Sequence, residues 1–183
     1  TLKCKREHGY LAGCYCSGSV CDLKKGKQIT NEELLELPVD ILVPAALENA
    51  ITPEIAKKIC ARVVLEMANG PTALEADEIL DKRGIPVIPD VLCNSGGVPT
   101  SYFEWIQNRM GYYWKKEEVL EKLEIKMKEA FESVWEKWIE LARDKNNASV
   151  LNPKPYSLSP SFRTAAYVVA LQKILQAMKL RGA

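Results

Sequence analysis

The chain has a single histidine, His8, among 183 residues. That count excludes histidine-rich metal catalysis, and a Ser-His or Cys-His nucleophile would depend on His8 alone. No apolar run approaches the ~20 residues that a membrane-spanning helix needs, so no membrane partner is expected. No charged start followed by an apolar stretch opens the sequence, so no secretory signal is expected. The phosphate-cradling patterns GxGxxG and GxxxxGK[ST] are both missing. Excess charge is missing too. The 25 basic and 24 acidic residues leave a formal charge of +1, which gives no electrostatic reason to expect nucleic acid. Six cysteines are present without a CxxC pair. Cys14, Cys16 and Cys21 crowd a Gly/Ser-rich stretch and could form a metal knuckle with Cys4 or His8, or disulfides. The reading adopted is free thiols, no metal, and a reducing, cytoplasmic setting.

What is there is an ordinary globular mix, 47% hydrophobic and 27% charged. Residues 1–29 form an irregular, cysteine-containing segment. From Thr30 the pattern sharpens. Thr30-x-x-Glu33 is a capping box and predicts a helix to about Leu37. Val39–Val43 is a continuous apolar run that predicts a buried strand. Thr52-Pro53 places an N-cap before a proline at the first helical position, and a helix should follow to about Cys60. Val63–Met67 predicts a strand. Thr72-x-x-Glu75 is a second capping box and predicts a helix to about Lys82, stopped by Gly84. Ile85–Ile88 predicts a third strand. Alternation of this kind implies crossover units and a parallel sheet.

After Asp90 the pattern becomes helical. Asp90 to Gly97 reads as a loop, and a helix is predicted from about Pro99 through Arg109. A long amphipathic helix follows over Glu117–Arg143, with Val119, Leu123, Met127, Ala130, Val134, Trp138 and Leu141 as its core stripe. Residues 146–161, with Pro153, Pro155 and Pro160, read as a linker. A last helix spans Phe162–Arg181, with Val168, Leu171, Leu175 and Met178 on one side. The expected fold is α/β: a partial Rossmann-like parallel sheet over residues 30–98, then a C-terminal helical region over 99–183.

In open parallel sheets, ligands bind beyond the carboxyl ends of the strands. Three segments leave such ends: Pro44–Ala46, Ala68–Pro71 and Asp90–Gly97. Each is rich in small residues or carries an asparagine. Small residues admit a ligand to the backbone, and amides can bond to ribose hydroxyls or a carboxamide. Together the three suggest a nucleotide crevice, although each alone is also an ordinary turn sequence.

These same loops resemble a known family. Val43–Thr52 (VPAALENAIT), Ala68–Thr72 (ANGPT), Glu75–Leu80 (EADEIL) and Ile88–Val98 (IPDVLCNSGGV) look like the C-terminal half of glutamate dehydrogenase. So do Ser101–Trp105 (SYFEW), Gln107-Asn108 and Arg163–Val169 (RTAAYVV). The resemblance runs in order from about Thr30 to Gly182, within the Glu/Leu/Phe/Val dehydrogenases. It implies NAD(P)-dependent oxidative deamination of L-glutamate to 2-oxoglutarate and ammonia, this chain supplying the cofactor side of the cleft. By motif, Ala45, Ala46 and Asn69 would line the ribose and nicotinamide side of NAD or NADP, and Asn94 would lie near the nicotinamide. Val98 and Ser101 would contact the substrate. The Ser101 hydroxyl, read as lying at a helix start where the dipole favours a carboxylate, would bond the distal carboxylate; the other reading of Ser101 is a helix cap. Pro99-Thr100 departs from the family's usual residues. The family's catalytic lysine, proton-transfer aspartate and glycine fingerprint belong to its other half, so no catalytic residue is assigned here. The implied partner is a homo-oligomer or a second chain carrying the substrate domain. The alternative is a non-catalytic truncated paralogue that serves as a binding or assembly module.

Overall fold

In this computed structural model, residues 5–6, 9, 15–17, 20–22, 27–146 and 161–182 are described. The chain divides into two compact units, Thr1–Glu36 and Leu37–Ala183. In the first, β1 (Tyr15–Ser17) and β2 (Val20–Asp22) pair antiparallel, with Cys16 opposite Cys21. Cys4 and Cys14, and the side chains of Cys16 and Cys21, lie outside the described residues, and so does the thiol reading that rests on them. Helix α1 (Asn31–Leu35) opens on the expected capping box. The Thr30 hydroxyl accepts from the Glu33 amide at 3.1 Å, and the Thr30 amide donates to Glu33 Oε2 at 2.8 Å.

The second unit holds a three-stranded parallel sheet, β3 (Ile41–Leu42), β4 (Val63–Leu65) and β5 (Val87–Ile88), in that order. Helix α2 (Pro53–Ala56) makes the first crossover and α3 (Leu74–Lys82) the second. Thr52 caps α2 with Pro53 at its first turn, as expected. The helix ends well before Cys60, because Arg83 draws its exit toward α3. The guanidinium donates to the Ala56 carbonyl, which a helix reaching Cys60 would have used itself, and, at 2.7 Å, to the Ile59 carbonyl just past the helix end.

Two local expectations are corrected here. Val39–Val43 is not buried on both faces: Leu42 is 9% exposed while Ile41 is 53% and Val43 46%. Strand β3 has one sheet neighbour, and one of its faces is uncovered among the described residues. The second capping box does not form. Thr72 bridges in parallel to Ile51, so the chain is still extended there and the cap falls to Ala73, with no side-chain bond. The Thr72 hydroxyl is buried without a partner.

The region after β5 is more helical than expected. Asp90–Cys93 forms α4, and α5 (Gly97–Met110) begins two residues before Pro99. Pro99 then sits in the first turn, where its missing amide is no loss. Gly111, at φ 66°, ends α5 in the left-handed conformation that glycine adopts without strain. Helix α6 (Lys116–Asn146) and α7 (Phe162–Leu180) complete the unit. Residues 147–160 of the expected linker lie outside the described residues. The α6 stripe faces inward as expected. Val134 is buried with Leu92, Phe162, Ala165 and Ala166, while Ala130, Trp138 and Leu141 pack against them. On α7 the buried face is Phe162, Ala165 and Ala166, whereas Leu171, Leu175 and Met178 are exposed. No helix among the described residues is long and apolar enough to cross a membrane.

Candidate functional site

The carboxyl ends of all three strands open on one rim. Leaving β3, the Pro44 carbonyl accepts from the Met67 amide at 3.1 Å and the Ala68 amide at 2.9 Å. This ties the first loop to the second. Further along, the Asn49 amide donates to the Gly70 carbonyl at 2.8 Å and the Ile51 amide to the Pro71 carbonyl at 2.8 Å. The two loops thus run as a short ladder beyond the sheet. Gly70 turns at φ 53°, and Asn49 is the one described non-glycine residue with positive φ, at 52°. Asparagine is among the few side chains that tolerate this region, through local hydrogen bonding.

The third loop joins through side chains. Asn94 caps the end of α4, and its Nδ2 donates to Asn69 Oδ1 at 2.6 Å and to the Met67 carbonyl at 3.5 Å. Two of the residues singled out in the sequence, 25 positions apart, are therefore in direct contact. A shallow cleft of about 740 Å³ lies over this pair, lined among others by Ala46, Ala68, Asn69, Asn94, Gly97 and Val98. The structure brings Ala46, Asn69, Asn94 and Val98 together. Ala45 and Ser101 are exposed and do not line this cleft. Ser101 lies one turn into α5, not at its start, and the cap position belongs to Gly96. Neither the helix-start argument for its hydroxyl nor the reading of it as a cap survives that placement.

Beneath the rim lies a charged cluster. Glu66, at the end of β4, is fully buried. Its carboxylate takes a two-pronged contact from Arg163 at the start of α7, with Nη1 to Oε2 at 2.9 Å and Nη2 to Oε1 at 2.8 Å. Arg163 also reaches Asp77 on α3 through Nε at 2.9 Å, and Asp90 on α4 at 3.6 Å. Burial disfavours the guanidinium charge, but the bonds to Glu66 and Asp77 outweigh it and hold its pKa above the ordinary arginine value. The planar fork of arginine suits this geometry, which a lysine ammonium could not reproduce. The sequence did carry one signal for the cluster: Glu66 is a charge inside an otherwise apolar run. Its partner was not visible.

Residues 2–182 match the profile of the glutamate/leucine/phenylalanine/valine dehydrogenases. The chain belongs to this family. It is 48% identical over 178 residues to the NADP-specific glutamate dehydrogenase of Synechocystis sp., covering 97% of this chain and 38% of that one. It is 46% identical over 165 residues to the NAD-specific glutamate dehydrogenase of Clostridioides difficile, covering 90% and 35%. Among solved structures, the glutamate dehydrogenase of Peptoniphilus asaccharolyticus matches at TM-score 0.63 and 48% identity, over 78% of this chain and 32% of that one. The hetero-hexameric glutamate dehydrogenase of Thermus thermophilus, in a leucine-bound form, matches at TM-score 0.74 and 26% identity, over 100% and 36%. The chain thus spans little more than a third of the length of these dehydrogenases.

Proposed function

We propose that this chain forms the dinucleotide side of a dehydrogenase that oxidatively deaminates L-glutamate to 2-oxoglutarate and ammonia. The observation that carries the reading is the Asn69–Asn94 contact beneath a cleft at the carboxyl ends of three parallel strands. Relatives named as NAD-specific and as NADP-specific glutamate dehydrogenases support the substrate and the cofactor class. A cytoplasmic setting belongs to the same reading.

The donor set fits a dinucleotide. Ala46 and Ala68 offer walls without bulk, so a ribose or nicotinamide ring can approach the backbone. The Asn94 Nδ2 is engaged in fixing Asn69, which leaves its carbonyl oxygen to accept from a ribose hydroxyl or carboxamide. Asn69 is oriented by the same bond. The dinucleotide, when bound, supplies the acceptor for the hydride that leaves the amino acid's α-carbon. Val98 and Ser101, on the first turns of α5, lie on the substrate side of this reading. Among the described residues the cleft is lined by one carboxylate, Glu48, and no lysine, and the family resemblance assigns the catalytic lysine and proton-transfer aspartate to the other half of the enzyme. Those groups must hold glutamate at near-attack distance for hydride transfer.

The test is a fluorescence titration of the intact enzyme with NADH and NADPH, followed by turnover with glutamate, leucine and phenylalanine. Tight binding of one dinucleotide and preferential glutamate oxidation are expected. A protein that binds neither dinucleotide would overturn the reading and leave the assembly-module alternative in its place.

A further inference from the structure

We propose that Arg163 is a positioning residue for the dinucleotide cleft, acting through Asp90 on the backbone of the Asn69–Gly70 turn. The inference rests on the functional reading above and assigns a role to a residue outside the cleft.

The path is continuous. Arg163 grips Glu66 with two bonds of 2.8 and 2.9 Å. Glu66 Oε2 also accepts the Asp90 amide at 3.0 Å, which fixes where α4 begins. The Asp90 carboxylate lies 3.6 Å from the Arg163 guanidinium. Its Oδ2 accepts the Gly70 amide at 2.8 Å, and its Oδ1 accepts the Val91 amide at 2.8 Å. Gly70 is the residue after Asn69. At the other end of α4, the Asn94 amide donates to the Asp90 carbonyl at 3.0 Å. Asp90 therefore sets both members of the cleft's amide pair, one through the Gly70 turn and one through the helix it opens.

Charge calls for a cation here, and the two-pronged contact with Glu66 calls for the planar fork of arginine. Glu66, Asp77 and Asp90 converge on one guanidinium, and Arg163 is their shared cation among the described residues. Without it three carboxylates repel, and Asp90 is the one with a loop to give up. Asp77, on α3, is bound at 2.9 and 3.2 Å and holds the guanidinium in the orientation that faces Glu66. Arg163 enters 97 residues after Glu66, so the C-terminal helix supplies the clamp for a turn on the central strand.

The experiment uses the intact enzyme with Arg163→Lys, Asp90→Asn and the double variant. Dinucleotide dissociation constants, KM for each substrate and kcat are measured, and near-UV circular dichroism checks the fold. Each single variant should weaken dinucleotide binding roughly tenfold, the scale known for lost partners that orient metal ligands, with the glutamate KM within about twofold of wild type. The double variant should be no weaker than the worse single one, because both act on one turn. Unchanged dinucleotide affinity in a folded Asp90→Asn enzyme would overturn the proposal, and so would additive losses in the double variant. Should Arg163→Lys fail to fold, Asp77→Asn, which loosens the guanidinium without removing it, takes its place, and unchanged dinucleotide affinity in that folded variant would overturn the proposal. Wild-type enzyme that binds no dinucleotide would instead sink the functional reading itself, so the two failures are distinct.

Discussion

A buried carboxylate costs several kcal/mol unless a cation and further hydrogen bonds offset the lost water. Glu66 has both, from Arg163 and the Asp90 amide. Glu66→Ala leaves the guanidinium without its main partner, and a loss of ~3–5 kcal/mol is expected in urea unfolding. Cys93 is a different kind of buried group. Burial pushes its thiol up from 9.0 to about 11, with the nearby Glu66 and Asp90 carboxylates adding to the effect. Near neutral pH it stays a thiol donating to the Ile88 carbonyl at 3.4 Å, and so reacts poorly. Iodoacetamide at pH 7.5, followed by peptide mapping, should label the exposed Cys60 well ahead of Cys93. Because the folded value lies above the unfolded one, this thiol's stabilising contribution is whole below pH 9 and is lost as pH rises through about 11. Asp81 also titrates high, through burial first and the Asp77 charge second. Its Oδ1 is buried without a partner. Asp81→Asn should therefore raise the melting temperature at pH 7, with the gain fading as pH falls and the wild-type carboxyl protonates. At this scale the sequence offered one unused signal, the charge of Glu66 beside the apolar residues of β4. It could not show Arg163 as the partner, because nothing local links positions 97 apart.

At the scale of elements, caps were the most legible feature wherever the flanking chain was free to form them. Thr30 and Thr52 cap as their patterns predict. Thr72 has the same pattern and does not, because its backbone is recruited into a bridge with Ile51. A non-local bond thus overrides a local preference. Ser161 shows the local rule again: its hydroxyl accepts the Thr164 amide at 3.2 Å and opens α7. Ser161→Ala should cost ~1 kcal/mol in denaturant unfolding, with Ser161→Asn close to wild type. The α6 stripe was readable from its spacing alone, since a steady helical period leaves one face for the core. The inward face of α7 was not. Its apolar residues occur on every side, and packing against α6 selects Phe162, Ala165 and Ala166. Phe162 lies between Phe131, Trp135 and Trp138, with ring centroids 5.9–6.2 Å away. Phe162→Ala should cost ~3–5 kcal/mol by the same measurement.

At the scale of the whole molecule, apolar surface remains uncovered in the second unit. Ile41 on β3 and Val43 just past it are exposed, as are Tyr167, Leu171, Ile174, Leu175 and Met178 on α7. On α7 these residues recur at helical spacing along one face, and an apolar stripe of this kind fits a surface that meets other polypeptide. Under the functional reading, that polypeptide carries glutamate and the proton-transfer groups. Paired Leu171→Asp and Leu175→Asp substitutions are expected to weaken assembly of the intact enzyme in size-exclusion and native mass measurements, while helix content by circular dichroism is unchanged. The sequence by itself determined the strand–helix alternation from Val39 to Ile88 and the parallel sheet it implies, because caps, prolines and apolar spacing act within a few residues; it missed the helix at Asp90–Cys93. Only the tertiary structure decided that Asn69 meets Asn94, that Ser101 lies within a helix, and that one arginine gathers three carboxylates. Those contacts join segments that share no local signal and are set by how the strands and helices pack.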